Sequence, residues 1–336
     1  KKKLTRSRLW CSSGLYREDG EYIVSYDANG GSGGQSADVT ATYDAAMPTI
    51  STTAPTRPGY TFGGWYDTSA ATGGTQYYTA AGASARTWNK TANTTLYARW
   101  TANKIKLTLN RNGGTGGPDY IWYIYGTNKF YSNEACTTQI TSITVPTKYG
   151  YVFDKYVGNG TYGGDVGEKY IYSNGTFASD LCTDIYGDAP LYAMYTAMNY
   201  DGQNSSGQHV KYYNTLKEAF AETDTNITMI EALQNVSETQ NADLNRNMTL
   251  KLSNHTITFN GSSAIYVHKD KTLKVLNGGT SSGGKLAQTL ANGEDYVIYS
   301  KGSVECYSTS IDGSLYIAGG SVKTSGVNIT SKGTGT

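Results

Sequence analysis

The residues that could support catalysis or metal binding are few in this sequence. Only four cysteines occur and none forms a CxxC pair, so a structural zinc site is not expected. Histidine-based catalysis would depend on His209, His255 and His268. Residues 113–117 (Gly-Gly-Thr-Gly-Gly) have the composition of a phosphate-binding loop, but no helix follows them. We therefore expect neither a metal nor a bound cofactor.

The carboxylates that could cleave a glycosidic bond by paired acid–base catalysis lie toward the C-terminal end. The candidates are Glu294, Asp295, Asp312 and Asp270, with Lys269 and Lys271 beside the last. Neighbouring strand residues point to opposite faces, so Glu294 and Asp295 cannot act together on an unbroken strand. Asp312 precedes a glycine, which indicates a turn. We therefore predict that the chain is not an enzyme.

Tyrosine is the stronger indication of function, because the chain has 30 tyrosines and only 6 phenylalanines. A tyrosine combines a rigid apolar ring with a polar hydroxyl, which suits stacking on sugars or contact with a protein. The alternative is that half of the candidates fill a domain core. The candidate contact residues are Tyr120, Tyr123, Tyr125, Tyr131, Tyr170 and Tyr172.

Composition limits the remaining classes of function. The 28 basic and 27 acidic residues nearly cancel, so no overall field attracts nucleic acid, although residues 1–8 are basic. No run approaches the roughly 18 apolar residues of a membrane span. Charged residues make up 16% of the chain, below the usual quarter or so, and glycine and tyrosine are abundant. This composition is typical of secreted and cell-surface proteins.

The strands that must position the tyrosines are predicted from an aromatic motif that occurs more than once in the chain. Its clearest copy is Pro-Thr-Arg-Pro-Gly-Tyr-Thr-Phe-Gly-Gly-Trp at residues 55–65. Tyr60 and Phe62 share one strand face, and a bulge at the two glycines would return Trp65 to that face. We predict that these three aromatics and Trp100 form a small core.

Two further blocks flank this motif. Residues 22–31 indicate a strand followed by an Asn-Gly turn, and residues 94–100 alternate apolar and polar side chains. A Y-x-V-x-Y-D-x-N-G-G start, a P-T-R-x-G-Y-x-F-x-G-W centre and an L-Y-A-x-W end resemble the Listeria–Bacteroides repeat, the B-repeat of internalin-type surface proteins. The resemblance covers residues 21–101 and implies a small β-grasp-like module that occurs in tandem on bacterial surface proteins.

The same three blocks return in diverged form, which predicts a second repeat at residues 104–197. They lie at residues 105–114, 146–156 and 191–195. Tyr151 and Phe153 are its expected core aromatics, while tyrosines replace both motif tryptophans of the first repeat. Cys136 and Cys182 fall in this repeat, and a disulfide between them would stabilise it by about 4 kcal/mol and fit an oxidising, extracellular setting.

The chain changes character after residue 198. The polar run at residues 199–207 predicts a domain boundary, and Thr215 and Glu218 predict a capping box for a short helix. Short strands follow at solenoid-like intervals, and residues 208–336 resemble the start of a right-handed parallel β-helix of the pectate-lyase-like kind. Because the last coil has no capping segment, we expect that a partner covers it or that the chain is a fragment.

The predicted fold class is mainly β: two tandem β-grasp-like modules, then a right-handed parallel β-helix with one N-terminal capping helix. Residues 1–20 are a tail or the end of a preceding module. We expect an extracellular, adhesin-like cell-surface protein whose modules form a spacer and contact a protein or glycan of a host or neighbouring cell. Self-association through the open β-helix end is a second expected contact. The alternatives are a polysaccharide lyase or hydrolase, and a viral or phage fibre segment.

Overall fold

The computed structural model of the chain describes residues 20–278, 283–289 and 296–330, and it is mainly β. The predicted N-terminal tail, except Gly20, and the Glu294-Asp295 pair lie outside the described residues. The chain divides into two compact units. Within the described part, one unit comprises residues up to 110, with 118–143 and 156–192, and the other comprises 111–117, 144–155 and the residues after 192.

A five-stranded sheet contains the first copy of the motif. Its strands are β1 (Glu21–Asp27), β2 (Val39–Thr42), β3 (Tyr60–Tyr66), β4 (Gln76–Tyr78) and β5 (Thr94–Ala102). They are arranged in the order β2-β1-β5-β3-β4. The first and last strands, β1 and β5, are parallel neighbours at the centre, and the other neighbours are antiparallel.

The aromatic core of this sheet forms as the motif predicts. Phe62 lies opposite Trp100, and Trp65 lies opposite Ala98, so three steps along β3 match two steps along β5. One extra residue at the glycines is a β-bulge, and it places Phe62 and Trp65 on the same face. The Phe62 ring packs edge-on against Trp65 at 5.5 Å, and Trp65 and Trp100 are buried. Tyr60, at the strand start, is only half-buried.

A seven-stranded sheet follows. Its elements are β6 (Lys104–Asn110), β7 (Tyr120–Ile124), β8 (Phe130–Tyr131), β9 (Gln139–Ile140), β10 (Tyr151–Val157), β11 (Lys169–Ile171), the helix α1 (Leu181–Asp184) and β12 (Ala189–Ala197). The order is β11-β10-β12-β6-β7-β8-β9, and β6 and β12 are parallel. Read from β7 to β11, it repeats the order of the first sheet, and β8 and β9 extend one edge.

The predicted core aromatics of this second sheet are only partly correct. Phe153 is buried, and Tyr156, at the position equivalent to Trp65, is fully buried. Tyr151 is wrong as a core residue, because its side chain is 37% exposed. It begins β10, where one side of its ring is covered by the Lys148 ammonium at 4.6 Å and Tyr195 lies 6.4 Å away.

The predicted disulfide is not formed, since Cys136 and Cys182 are both free cysteines. Cys182 is buried in α1, and backbone amides of Asn128 and Lys129 point at its sulfur. Cys136 is half-buried in the turn before β9, with a φ of 55°. Both cysteines belong to the segment that forms this sheet, but the fold does not pair their thiols.

The rest of the chain passes through three sheets in turn. Its elements are β13 (Tyr200–Gln203), β14 (His209–Tyr213), α2 (Leu216–Phe220), β15 (Met229–Ala232), β16 (Val236–Glu238), β17 (Ala242–Leu244), β18 (Met248–Lys251), β19 (Thr256–Phe259), β20 (Ile265–Val267), β21 (Thr272–Leu276), β22 (Lys285–Gln288), β23 (Tyr296–Ser300), β24 (Ser303–Tyr307), β25 (Ser310–Asp312), β26 (Ser314–Ile317), β27 (Val322–Ser325) and β28 (Asn328–Thr330).

From β15 to β25 each strand pairs in parallel with the strand three places later. The three sheets have the orders β14-β13-β15-β18-β21-β24-β27, β16-β19-β22-β25-β28 and β17-β20-β23-β26. Inward side chains such as Leu250, Ile257 and Ile265 share one apolar core. The alternation seen in the sequence arises because every second residue of each short strand enters this core.

The short helix α2 covers one end of this core. The predicted capping box is present: the Glu218 amide donates to the Thr215 hydroxyl, and the Glu218 carboxylate accepts from the Thr215 amide. Leu216 and Phe220 are buried in the shared core. Beneath the helix the buried Glu238 carboxylate accepts from the Leu216 amide at 2.9 Å. Tertiary contacts therefore hold a helix of only one and a half turns.

The polar run at residues 199–207, which the sequence predicts as a domain boundary, contains a buried strand. Residues 200–203 form β13, whose four residues are all buried, and β13 pairs with β14 and β15. The polar side chains of β13 are satisfied by hydrogen bonds inside this region. The Tyr200 hydroxyl, for example, donates to Glu238 at 2.6 Å.

Candidate contact surfaces

The six candidate tyrosines do not form one exposed surface. Tyr123, Tyr131 and Tyr170 are buried, so they are wrong as contact residues. The hydroxyl of Tyr123 donates to the Ile185 carbonyl inside the module, and burial raises its pKa well above the ordinary value. An alternating strand sends neighbouring tyrosines to opposite faces, so a tyrosine-rich strand fills the core and decorates the surface together.

Tyr120 and Tyr172 remain exposed, and each lies beneath a lysine. On β6 and β7, Lys106 stands 4.7 Å from the Tyr120 ring and 5.8 Å from the Trp122 ring. On β11, Lys169 stands 4.8 Å from the Tyr172 ring. Each group combines an apolar ring with a cation at the surface, which is favourable for contact with a polar partner. Tyr125 is half-buried and packs on Tyr60, with ring centroids 5.4 Å apart.

A more regular aromatic surface lies in the region of three parallel sheets. Tyr266 on β20, Tyr299 on β23 and Tyr316 on β26 occupy equivalent positions on adjacent parallel strands. The ring centroids of Tyr266 and Tyr299 are 5.5 Å apart, and those of Tyr299 and Tyr316 are 5.1 Å apart. The Tyr299 and Tyr316 rings are stacked and nearly parallel, with an interplanar angle of 18°. We call these three residues, with Tyr296 packed beside Tyr316 at 4.9 Å, the tyrosine ladder.

The ladder presents a row of ring edges and hydroxyls rather than flat ring faces. Strand side chains stand perpendicular to their sheet, so rings that stack on one another turn their edges outward. Within the described part of the chain, these hydroxyls have no protein hydrogen-bond partner, and Tyr316 is 44% exposed. The sequence carried a signal for this surface, because Ile-Tyr-Val, Ile-Tyr-Ser and Leu-Tyr-Ile recur on strands of the same sheet.

The two candidate catalytic carboxylates that the structure describes, Asp270 and Asp312, lie in different parts of the fold. Asp270 lies in a cleft at a corner between sheets, where Lys269 and Lys301 also line the wall. Asp312 lies on β25, in another sheet, and its carboxylate is 3.3 Å from the Lys285 ammonium. Among the described residues no group of three or more histidine, cysteine or acidic side chains is placed to hold a metal ion. Of the three histidines, His209 has the closest polar contact, to the Asp201 carboxylate.

The side chain of His209 is 39% exposed and contacts a polar cluster that the sequence did not predict. Its Nδ1 is 2.5 Å from an oxygen of the fully buried Asp201. The Gln203 amide donates to Asp201 at 2.9 Å and to Glu231. Glu231 in turn pairs with the Lys251 ammonium at 2.9 Å. The pairing of carboxylates with donors explains how these groups are accommodated inside the sheet.

The electrostatics of this cluster favour the ionised form of Glu231. Burial opposes ionisation of Glu231, but hydrogen bonds from Ser253, Lys251 and Gln203 outweigh it and hold its pKa below the ordinary value. Burial, reinforced by Glu231 and Asp201, raises the pKa of Tyr149 to about 12. The Tyr149 hydroxyl therefore keeps its proton at neutral pH and faces Asp201 at 3.4 Å. The cluster is fully paired, so we assign it to structure rather than to catalysis.

The fold and these surfaces define a mainly β protein in which one kind of repeat can be recognised. Residues 22–99 match the family model of the Listeria-Bacteroides repeat domain, which confirms the expected repeat for that segment. The match coincides with the five-stranded sheet from β1 to β5. No curated protein and no solved structure matches the chain. Neither of the two described helices is long and apolar enough to cross a membrane.

Proposed function

We propose that this chain is part of an extracellular, adhesin-like cell-surface protein. Its modules serve as a spacer and as a contact surface for a protein or glycan of a host or neighbouring cell. The observation that carries the proposal is the Listeria-Bacteroides repeat at residues 22–99, since the resemblance of that repeat is to modules of bacterial surface proteins. The near-neutral charge and the tyrosine-rich surface agree with it.

The architecture that we propose is two tandem β-grasp-like modules followed by a right-handed parallel β-helix. Support for a second repeat comes from the shared strand order and the central parallel pair of first and last strands. Support for the β-helix comes from the passage of successive strands through three parallel sheets. The first sheet and the region of three parallel sheets each have an apolar core of their own, which suits modules of a spacer.

The tyrosine ladder is the surface on which we place the contact. Its hydroxyls and ring edges can exchange hydrogen bonds and apolar contacts with a hydroxyl-rich glycan or with the rim of a protein. Tyr120 and Tyr172 offer smaller surfaces of similar chemistry on the second sheet. The ladder is preferred because four rings act together and lose little conformational entropy on binding.

The test is binding of the purified chain to a glycan array and to cell surfaces, with variants of the ladder. Tyr299→Ser with Tyr316→Ser should weaken binding by roughly tenfold or more, the range of a hot-spot aromatic. The matched control is Tyr186→Ser, an exposed tyrosine away from the ladder, which should bind as wild type does. A glycan hit and a protein hit separate the two classes of ligand.

Two outcomes would contradict the proposal. Release of reducing or unsaturated sugars from polysaccharides by the purified chain would make it an enzyme. Binding that survives the double ladder substitution would move the contact away from the ladder. Protease treatment of intact source cells tests the location, because a surface protein is cut without lysis.

A further inference from the structure

The two copies of the motif turn, residues 57–60 and residues 148–151, have the same geometry although different structures follow them. Gly59 has a φ of 77° and Gly150 has a φ of 78°. Both values lie in the left-handed region, which glycine adopts without strain. After the first copy comes a further mixed sheet, and after the second comes the region of three parallel sheets.

In both copies the carbonyl of the turn glycine accepts a hydrogen bond from the first residue after the last strand of the motif's sheet segment. The amide of Asn103, one residue after β5, donates to the Gly59 carbonyl at 2.9 Å. The amide of Met198, one residue after β12, donates to the Gly150 carbonyl at the same distance. A new strand begins within two residues in each case. The exit direction of the chain is therefore tied to the turn.

A cation covers the tyrosine that ends each turn. The Arg57 guanidinium is 4.1 Å from the centre of the Tyr60 ring. The Lys148 ammonium is 4.6 Å from the centre of the Tyr151 ring. The residue type differs while the contact persists, which indicates that the sequence retains a cation over this ring in both copies.

A tyrosine of the hairpin that follows packs against each turn. After the first copy β6 and β7 form an antiparallel hairpin, and Tyr125, next after β7, lies on Gly59. A Cβ on Gly59 would stand 2.3 Å from the Tyr125 ring, so only glycine leaves room. The Tyr125 amide also donates to the Asn103 carbonyl at 3.0 Å.

After the second copy β13 and β14 form the hairpin, and Tyr212 on β14 reaches the turn through its hydroxyl. The ring is not stacked on the glycine as in the first copy, since a Cβ on Gly150 would meet only Leu233, at 3.8 Å. The Gly150 amide donates to the Tyr212 hydroxyl at 2.9 Å. The Tyr149 ring lies edge-on to the Tyr212 ring, with centroids 6.4 Å apart. The His209 ring stacks on the same Tyr212 ring, with centroids 3.9 Å apart. Asp201 then fixes His209, so the buried polar cluster supports the tyrosine that meets the turn.

We propose that the motif turn is a docking surface for the next domain of the same chain. The partner it fits is a β-hairpin whose second strand brings a tyrosine against the turn glycine. Two different successors each bring a tyrosine to the turn glycine, one through its ring and the other through its hydroxyl, so we attribute the surface to the repeat. The turn sets a fixed exit orientation for whatever follows. This inference concerns how domains are joined and holds whether or not the chain binds a ligand.

The test measures amide exchange by NMR in the full chain. Tyr125→Ala should accelerate exchange of the Asn103 amide by about tenfold or more, because the hydrogen bond to Gly59 then opens locally. Gly59→Ala should do the same by pushing the ring away. Its matched control is Gly33→Ala, which has a φ of 74° and no neighbouring atom within 4 Å of the added methyl. Tyr212→Ala should have the same effect on Met198.

Residual dipolar couplings supply the second measurement. In the wild type one alignment tensor should fit β1–β5 and β6–β7 together, and in Tyr125→Ala two tensors should be needed. Tryptophan fluorescence of the first sheet should stay unchanged in Tyr125→Ala, which separates loss of docking from loss of folding. Wild-type exchange at Asn103 in both Tyr125→Ala and Gly59→Ala, with a single tensor retained, would overturn the proposal.

Discussion

At the scale of single residues, the two adjacent glycines at the bulge of the motif, Gly63 and Gly64, differ in their structural requirements. Gly64 has a φ of 116°, and a Cβ there would stand 2.3 Å from the backbone oxygen of Tyr78. Gly63 has room, since its nearest neighbour would be Arg99 Cγ at 3.5 Å. The bulge that returns Trp65 to the core therefore requires glycine at one position and tolerates a side chain at the other.

Gly64→Ala should destabilise the first repeat by about 2–4 kcal/mol, because strain at positive φ adds to a clash with backbone. Gly63→Ala should change the free energy of unfolding by less than about 1 kcal/mol. Denaturant unfolding followed by tryptophan fluorescence measures both. Equal effects of the two substitutions would show that the bulge does not depend on Gly64.

The second sheet carries the corresponding positions on β10. Asp154 and Lys155 replace the two glycines, yet Phe153 and Tyr156 are both buried three positions apart, as Phe62 and Trp65 are packed in the first repeat. The spacing of the aromatic anchors is thus kept while the glycines are lost. A smaller ring at the second anchor accompanies the change.

At the scale of elements, the C-terminal end of α2 is tied to β14 by one carboxylate. Glu222 accepts from the Lys211 ammonium and the Tyr213 hydroxyl, each at 2.8 Å. It also accepts from the Asp224 amide at 3.0 Å. The Lys211 contact first, and then the other two, lower the pKa of Glu222 from its usual value near 4.5 to about 2.

This lowered pKa predicts the pH dependence of stability. A carboxyl whose folded pKa lies below its unfolded pKa stabilises the fold above about pH 4.5, and the stabilisation is lost as the pH falls toward 2. Glu222→Gln should therefore reduce the stability at pH 7 and flatten its decline between those limits. Glu134→Gln, at an exposed carboxylate, should leave the curve unchanged. An unchanged curve for Glu222→Gln would contradict the assignment.

At the scale of the whole molecule, each compact unit contains a buried free thiol whose reactivity can be used to follow the unfolding of that unit. Cys182 is buried in the first unit and Cys306 in the second, and burial raises the pKa of each thiol to about 11. Burial raises the pKa of the half-buried Cys136 as well. Separate apolar cores in the first sheet and in the C-terminal region suggest that the units unfold separately.

Thiol labelling through a denaturant series tests this expectation. Cys136 should react in the native protein, whereas Cys182 and Cys306 should react only on unfolding, with two distinct midpoints. Mass spectrometry of the digest assigns each peptide, including that of Cys11, which lies outside the described residues. A Cys136–Cys182 linked peptide before reduction would contradict the free thiols, and one shared midpoint would show cooperative unfolding.

The sequence by itself determined the features that depend on neighbours along the chain. The bulge at the motif glycines, the capping box of Thr215 and Glu218, and the alternation of the short strands were all predicted correctly. A turn glycine, a cap or an alternating strand is selected by local backbone geometry, so the residues that encode it lie within a few positions of one another. The first repeat was recognisable for the same reason.

Only the tertiary structure decided which side chains are buried and which of them meet. Trp88 is buried in the first core although no motif includes it, and Tyr123 is buried while Tyr120 on the same strand is exposed. Asp201 is buried although it lies in a polar, glycine- and serine-rich run, because His209 and Gln203 pair with its carboxylate. Burial, ring stacking and thiol distance depend on strand register across long sequence separations, and register is fixed by the packing of the whole sheet.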